Sequence, residues 1–188
     1  KTAYEIRNCD WSSDVCSSDL KFPKFKKPAI LADKSVGDIS SKDHKDEGKW
    51  MVMFWYPKDF TFVCPTEIIE FNSNHTKFAE LNTVLYGAST DTEAVHLAWR
   101  ENDPKLTNLT FPLIADTSKS LSKKLGILQP EKVAYRVTFI VDPEGVIQWV
   151  NANNDATGRN IAEVLRALEA TQNPGLTACD WVPGEATL

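Results

Sequence analysis

At 188 residues, 42% hydrophobic and 25% charged, the chain is long enough to bury one sizeable core and reads as a single globular domain. Its net charge of -5 argues against a general binder of nucleic acid or anionic lipid, because phosphates select basic surfaces. No run approaches the roughly 18 consecutive apolar residues of a membrane-spanning helix.

In chain order, residues 1–20 stand apart from the rest. They hold Cys9, Trp11, Cys16 and several serines with no helical or strand period and no apolar core of a signal peptide. The run from Cys9 to Leu20 resembles the conceptual translation of a sequencing-library adapter, so the segment is set aside as non-native. Two cysteines then remain, Cys64 and Cys179. Cys9 and Cys16 have neither a nearby His nor a C-x-x-C spacing, so no metal site is expected. The segment carries a net charge of -2, which leaves -3 for residues 21–188. A domain over 21–172 and a tail over 173–188 complete the division.

Residues 22–28 are too interrupted by Pro and Lys for a central element, and 29–31 read as a short edge strand. Residues 40–48 read as polar linker, with His44 solvated. Residues 50–56, W-M-V-M-F-W-Y between Gly48 and Pro57, predict a strand buried on both faces, the central one of its sheet. Thr, Pro and Glu in the stretch 61–67 open a helix at Cys64, and Ile68, Ile69, Phe71, Phe78 and Leu81 continue it to about residue 82 with His75 exposed. Residues 83–89 form a second buried strand. Thr90 and Glu93 predict a capping box for a helix over 90–102, on which His96 and Trp99 share a face that packs over the sheet. A strand over 111–116, a helix over 118–125 capped by Gly126, and a hairpin of 132–141 with 146–150 across Asp142-Pro143-Glu144-Gly145 follow. The last helix spans 160–171 and buries Ile161, Val164, Leu165 and Leu168. Alternating strands and helices with a terminal hairpin give an α/β fold with a mixed central sheet flanked by helices, a pattern that fits the thioredoxin-like fold.

Cys64 falls at a helix N-terminus just beyond the carboxyl end of a strand. Open α/β sheets place their chemistry there, and unpaired backbone N–H groups with the helix dipole stabilise negative charge on a sulfur. The spot suits a nucleophilic or redox cysteine, against the plainer reading of a buried, inert core thiol. Glu67 stands where a C-x-x-C motif would carry its second cysteine, so dithiol exchange at one helix end has no second thiol.

The stretch Pro57-x-x-x-Thr61-x-x-Cys64, within F-W-Y-P-K-D-F-T-F-V-C-P-T-E, resembles the peroxidatic-cysteine signature of typical two-cysteine peroxiredoxins, in particular the bacterial alkyl hydroperoxide reductase C type. V-H-L-A-W-R at 95–100, F-P-L-I-A-D at 111–116, A-Y-R-V-T-F-I-V-D-P-E-G at 134–145, G-R-N at 158–160, E-V-L-R-A-L at 163–168 and W-V-P-G-E-A-T-L at 181–188 resemble the same family in the same order. The resemblance covers residues 48–188 and is weaker over 22–47. It implies a thiol peroxidase that reduces hydrogen peroxide and organic hydroperoxides through a sulfenic acid and a disulfide, without cofactor or metal. Cys64 would be the nucleophile, Thr61 would hydrogen-bond the peroxide, Arg136 would set a permanent cation beside the sulfur and Pro57 would shield it from water. Glu67 and Arg159 resemble the pair that holds Arg136, and Trp99 the helix-packing aromatic.

Cys179, on a tail rich in Pro and Gly and expected to be mobile, is the candidate resolving cysteine. It stands two residues before Trp181, whereas the family most often places that cysteine four before, where this chain has Thr177. One-cysteine turnover with an external thiol is the alternative at this point. The resemblance further implies a cytoplasmic homodimer able to close into a ring of five dimers, re-reduced by thioredoxin or a flavoprotein reductase. Peroxide-sensitive relatives carry a Gly-Gly-Leu-Gly insertion and an additional C-terminal helix; neither occurs in these 188 residues, so resistance to over-oxidation is expected. A thioredoxin-like disulfide oxidoreductase and a chaperone-like oligomer are the competing functional classes.

Overall fold

A computed structural model describes residues 20–188; the expectations for residues 1–19 lie outside them. Seven strands of the described residues form one mixed sheet. They are β1 Lys26–Ile30, β2 Val36–Ser40, β3 Trp50–Trp55, β4 Thr83–Ser89, β5 Leu113–Ala115, β6 Arg136–Val141 and β7 Ile147–Asn153, in the spatial order β2-β1-β5-β4-β3-β6-β7. β3, β4 and β5 run parallel, while β6, β7, β1 and β2 pair antiparallel with their neighbours.

β3 is interior, between parallel β4 and antiparallel β6, but β4 rather than β3 stands in the middle of the seven. Every residue of β3 after Trp50 is buried, as the unbroken apolar run requires. Its period of two feeds two cores. Val52, Phe54 and Tyr56 meet Ile68, Phe71, Phe78, Trp99, Val164 and Leu168 on one face. Met51, Met53 and Trp55 meet Phe22, Phe25, Leu121 and Phe139 on the other.

The N-terminal part departs most from the sequence reading. The edge is β2, and β1 is interior, running from Lys26 through Pro28 to Ile30. Phe25 C=O accepts from Ser41 N–H and Leu31 N–H donates to Ser35 C=O, so odd-numbered residues bond towards β2 and the Pro28 nitrogen faces the β5 side. β5 reaches only Ala29 and Ile30, so the missing N–H breaks no ladder. Lys27, 9% exposed, enters the interior because its Nζ lies 2.6 Å from Asp116 Oδ1. The polar stretch 40–48 folds into a short helix, α1 Asp43–Asp46, and His44 is buried rather than solvated.

The helix that starts at Cys64 is interrupted. α2 Cys64–Ser73 ends at Asn74, which also precedes α3 His75–Glu80. Asn74 leaves helical geometry at φ -102, ψ 5, and its side-chain amide joins its own N–H in donating to the Glu70 C=O. His75 is half-buried, with Nδ1 2.7 Å from Thr110 Oγ1. The capping box at Thr90 is corrected as well: α4 Glu93–Asn102 is capped by Thr92, whose Oγ1 accepts from Val95 N–H at 3.2 Å. α5 Ser120–Lys124 is shorter than its predicted span, and the buried Asp116 carboxylate accepts from Leu121 and Ser122 N–H. α6 Ile161–Gln172 starts at Asn160, whose side chain accepts from Glu163 N–H, and buries the expected stripe.

The tail lies against the body rather than free of it. Trp181 is 4% exposed, and its carbonyl accepts from Arg166 Nη1 at 3.0 Å.

Candidate active site

Cys64 is the first residue of α2, 1% exposed, followed by Pro65, which tolerates a first turn because its absent N–H has no helical acceptor there. The loop from Tyr56 to Val63 carries the chain from the end of β3 into that turn, and Phe60 takes φ 54 to make the bend. One helical turn on, Glu67 projects from the same face of α2 as Cys64, and it too is buried.

Two arginines converge on Glu67. Arg136, the first residue of β6, bonds Glu67 Oε2 through Nη1, and the same nitrogen lies 3.6 Å from Cys64 Sγ. Its Nη2 donates to Asp155 C=O at 2.8 Å. Arg159, in the turn before α6, grips the other side of the carboxylate: its backbone N–H and Nε each reach Oε1 at 2.9 Å and Nη2 reaches Oε2 at 2.8 Å. It also donates to Trp55 C=O and Val137 C=O, and its guanidinium lies 5.3 Å from the Phe54 ring centroid. β3, β6, α2 and the approach to α6 are thereby fastened at one point. Two cations around one carboxylate leave a net positive charge beside the sulfur.

Burial alone would raise the pKa of Glu67, but hydrogen bonds and charge from Arg159 and Arg136 outweigh it and hold the carboxyl below its ordinary range. Burial likewise works against the Arg136 cation, and Glu67 and Cys64 together more than compensate, raising it. Arg159 is lowered, burial dominating over Glu67. Bidentate geometry keeps this pairing specific.

The predicted site residues divide. Cys64, Glu67, Arg136 and Arg159 come together directly. Pro57 and Thr61 lie in the loop that enters Cys64, both half-buried, with Thr61 Oγ1 donating to Lys58 C=O at 2.9 Å. Trp99 stands outside the ionic cluster and packs on that loop, its ring centroid 6.2 Å from Tyr56 and 5.9 Å from Phe60. Cys179 is exposed on the tail and Cys64 is buried; both are free thiols.

Sequence reasoning missed three contributors. Asp59, buried in the same loop, sits 2.6 Å from His96 Nδ1, and His96 Nε2 faces Ile114 C=O at 3.3 Å. His96 does pack over the sheet, and it is also one half of a buried hydrogen-bonded pair that ties the loop to α4. Burial would lower its pKa, but the bond and charge of Asp59 prevail and raise it. Asp155 contributes a backbone carbonyl, which no side-chain motif announces. Gln129 holds that turn through Asp155 Oδ2 at 2.8 Å.

A family model described as AhpC/TSA matches residues 19–150. The chain belongs to the AhpC/TSA family. It is 42% identical over 181 residues to alkyl hydroperoxide reductase C of Mycobacterium tuberculosis, covering 89% of this chain and 91% of that one. A chloroplastic 2-cysteine peroxiredoxin of Chattonella marina is 42% identical over 176 residues, 89% of each chain. The reduced 2-Cys peroxiredoxin of Plasmodium vivax superposes with a TM-score of 0.85 at 32% identity, covering 89% of this chain and 90% of that one. This AhpC/TSA chain is thus a peroxiredoxin of the alkyl hydroperoxide reductase C type with the thioredoxin-like fold, and its enzyme class is thiol peroxidase.

Proposed function

We propose that Cys64 is the peroxidatic residue of this thiol peroxidase, acting on hydrogen peroxide and organic hydroperoxides. The observation that carries the reading is the Arg136 guanidinium, anchored by Glu67 and donating towards a sulfur at the first position of α2. The Cys64 thiolate attacks one peroxide oxygen; the O–O bond breaks, the sulfur becomes a sulfenic acid, and the departing oxygen takes up a proton as water or an alcohol. Arg136 and the positive end of the α2 dipole stabilise the negative charge that moves from sulfur to the leaving oxygen. Thr61 and Pro57 line the approach, Thr61 to hydrogen-bond the peroxide and Pro57 to keep water away. Trp99 packs the loop that holds them.

Cys179 then resolves the sulfenic acid. Its thiolate attacks the Cys64 sulfur, an S–S bond replaces the S–O bond, and hydroxide leaves as water after protonation. A thiol protein, thioredoxin or a flavoprotein reductase, returns the disulfide to two thiols. The working form is a homodimer, able to close into a ring of five dimers, in the cytoplasm. No helix of the described residues is long and apolar enough to cross a membrane. The deciding experiment is Cys64→Ser: a serine hydroxyl is not ionised at neutral pH, so peroxide consumption at the expense of added thiol should fall to background in a folded variant. Retained turnover overturns the assignment.

A further inference from the structure

Arg136 faces the Cys64 sulfur with a guanidinium that is fixed at two other points. Nη1 bonds Glu67 Oε2, Nη2 donates to Asp155 C=O at 2.8 Å, and the buried Nε has no partner among the described residues. A planar fork is oriented by its two ends. With Nη2 released, the group could swing about its bond to Glu67, and the contact with Sγ, at 3.6 Å the longest it makes, would open first. The aim of the cation therefore depends on the Asp155 carbonyl as well as on the Glu67 carboxylate.

That carbonyl stands in an exposed turn. The chain leaves β7 at Asn153, directly across the ladder from Arg136, and residues 154–158 all face solvent. Asn154 shapes the turn from within, its Oδ1 accepting from Ala156 N–H at 3.0 Å and its carbonyl from Thr157 N–H at 2.9 Å. Beyond the turn, Asp155 bonds Arg136 through its carbonyl and Gln129 through its carboxylate. Gln129 uses both hydrogens of its side-chain amide: one goes to Asp155 Oδ2 at 2.8 Å, the other to Ala134 C=O at 3.1 Å. Ala134 is buried, two residues before Arg136. Gln129 is held in turn, because its N–H donates to Val133 C=O at 2.8 Å and its C=O accepts from Lys132 N–H at 2.9 Å. One amide thus ties the turn that holds Nη2 to the stretch of chain that carries Arg136 into β6.

We infer that Gln129 and the Asp155 side chain are positioning residues for the reaction at Cys64: their bond keeps the Asp155 carbonyl on Arg136 Nη2 and so keeps Nη1 aimed at the sulfur. The inference rests on Cys64 being the peroxidatic thiol. Both side chains act through Arg136, on formation of the sulfenic acid and not on its resolution.

The test follows the reduced full-length protein with hydrogen peroxide, by rapid quench and intact mass, and reads the rate constant for sulfenic acid formation. Gln129→Ala removes the brace and should lower that constant about fivefold. Gln129→Glu sets two carboxylates against each other and should lower it at least as far. Combining Gln129→Glu with Asp155→Asn exchanges donor and acceptor, and part of the lost rate should return. In an Arg136→Lys background a single ammonium replaces the fork, so Gln129→Ala should there change the rate by less than about twofold. An unchanged rate in Gln129→Ala would overturn the inference. So would the same fivefold loss in the Arg136→Lys background, because the effect would then bypass Arg136, and so would a reversed pair no faster than Gln129→Glu alone. Cys64→Ser tests the underlying reading separately: turnover retained there removes Cys64 from the reaction, whereas turnover lost there with Gln129→Ala unchanged removes only Gln129 and Asp155.

Discussion

Glu67 is the residue on which the ionic cluster turns, because two buried cations share it. Removing one partner of a buried ion pair costs about 3–5 kcal/mol, and Glu67→Gln would strand both Arg136 and Arg159. The variant is expected to lose stability of that order in denaturant unfolding, and peroxide turnover with it, since Arg136 would no longer be held 3.6 Å from Cys64. The pH dependence has a definite sign. A carboxyl whose folded pKa is depressed contributes stability that is fully present above its unfolded value, about 4.3, and lost as pH falls through the folded one. Wild-type protein should therefore shed stability below about pH 4, and Glu67→Gln should show a flatter acid limb. Equal slopes for the two proteins would mean that Glu67 is not the group that titrates there.

At the scale of elements, the start of α4 separates two threonines that sequence alone confuses. Thr92 caps Val95 N–H, whereas Thr90 Oγ1 makes only a 3.3 Å contact with Lys132 C=O. Thr92→Ala should cost about 1 kcal/mol and Thr90→Ala a few tenths, read as the shift in urea midpoint; the reverse order would return the cap to Thr90. The confusion has a physical origin. T-D-T-E offers two cap residues, and the third residue after Thr90 is a Glu, so the capping-box pattern points to the wrong one. β4 is legible to the residue because T-V-L-Y-G-A-S is almost wholly buried and bounded by turns. β2 and α1 are not legible, because residues 36–48 are polar: β2 is held by its ladder to β1, and α1 by Asp43 accepting from Ser40 and by Lys45 Nζ donating to the distant Glu144 C=O. The site divides along the same line. Cys64 is readable from its place at a helix start after a strand, and Glu67, Arg136 and Arg159 only through the family resemblance. The hold of Asp155 on Arg136 is a backbone carbonyl, and Asp59 finds His96 across 37 residues, so neither leaves a local pattern.

For the whole molecule, the proposed disulfide poses the question of which chain supplies each thiol. Cys64 is buried beneath the approach to α6, while Cys179 is exposed two residues before Trp181, whose carbonyl Arg166 holds midway along α6. Whichever chain supplies the second thiol, the first turn of α2 must open before a tail can meet the sulfenic acid, because Cys64 is 1% exposed. Local opening of a first turn next to an exposed loop is among the least costly motions of a fold, so exposure of Cys64 is a small obstacle. In the proposed homodimer, two copies related by a twofold axis would place each tail against the other's Cys64 and form two equivalent bonds, the self-complementary arrangement of most homodimers. Peroxide treatment should therefore convert the 21.1 kDa chain into a species of twice that mass on a non-reducing denaturing gel. It should be absent in either Cys64→Ser or Cys179→Ser and reappear when the two variants are mixed, since one intact Cys64 and one intact Cys179 then meet across the interface. Protein that forms the disulfide by mass yet stays at monomer mobility would place both thiols within one chain.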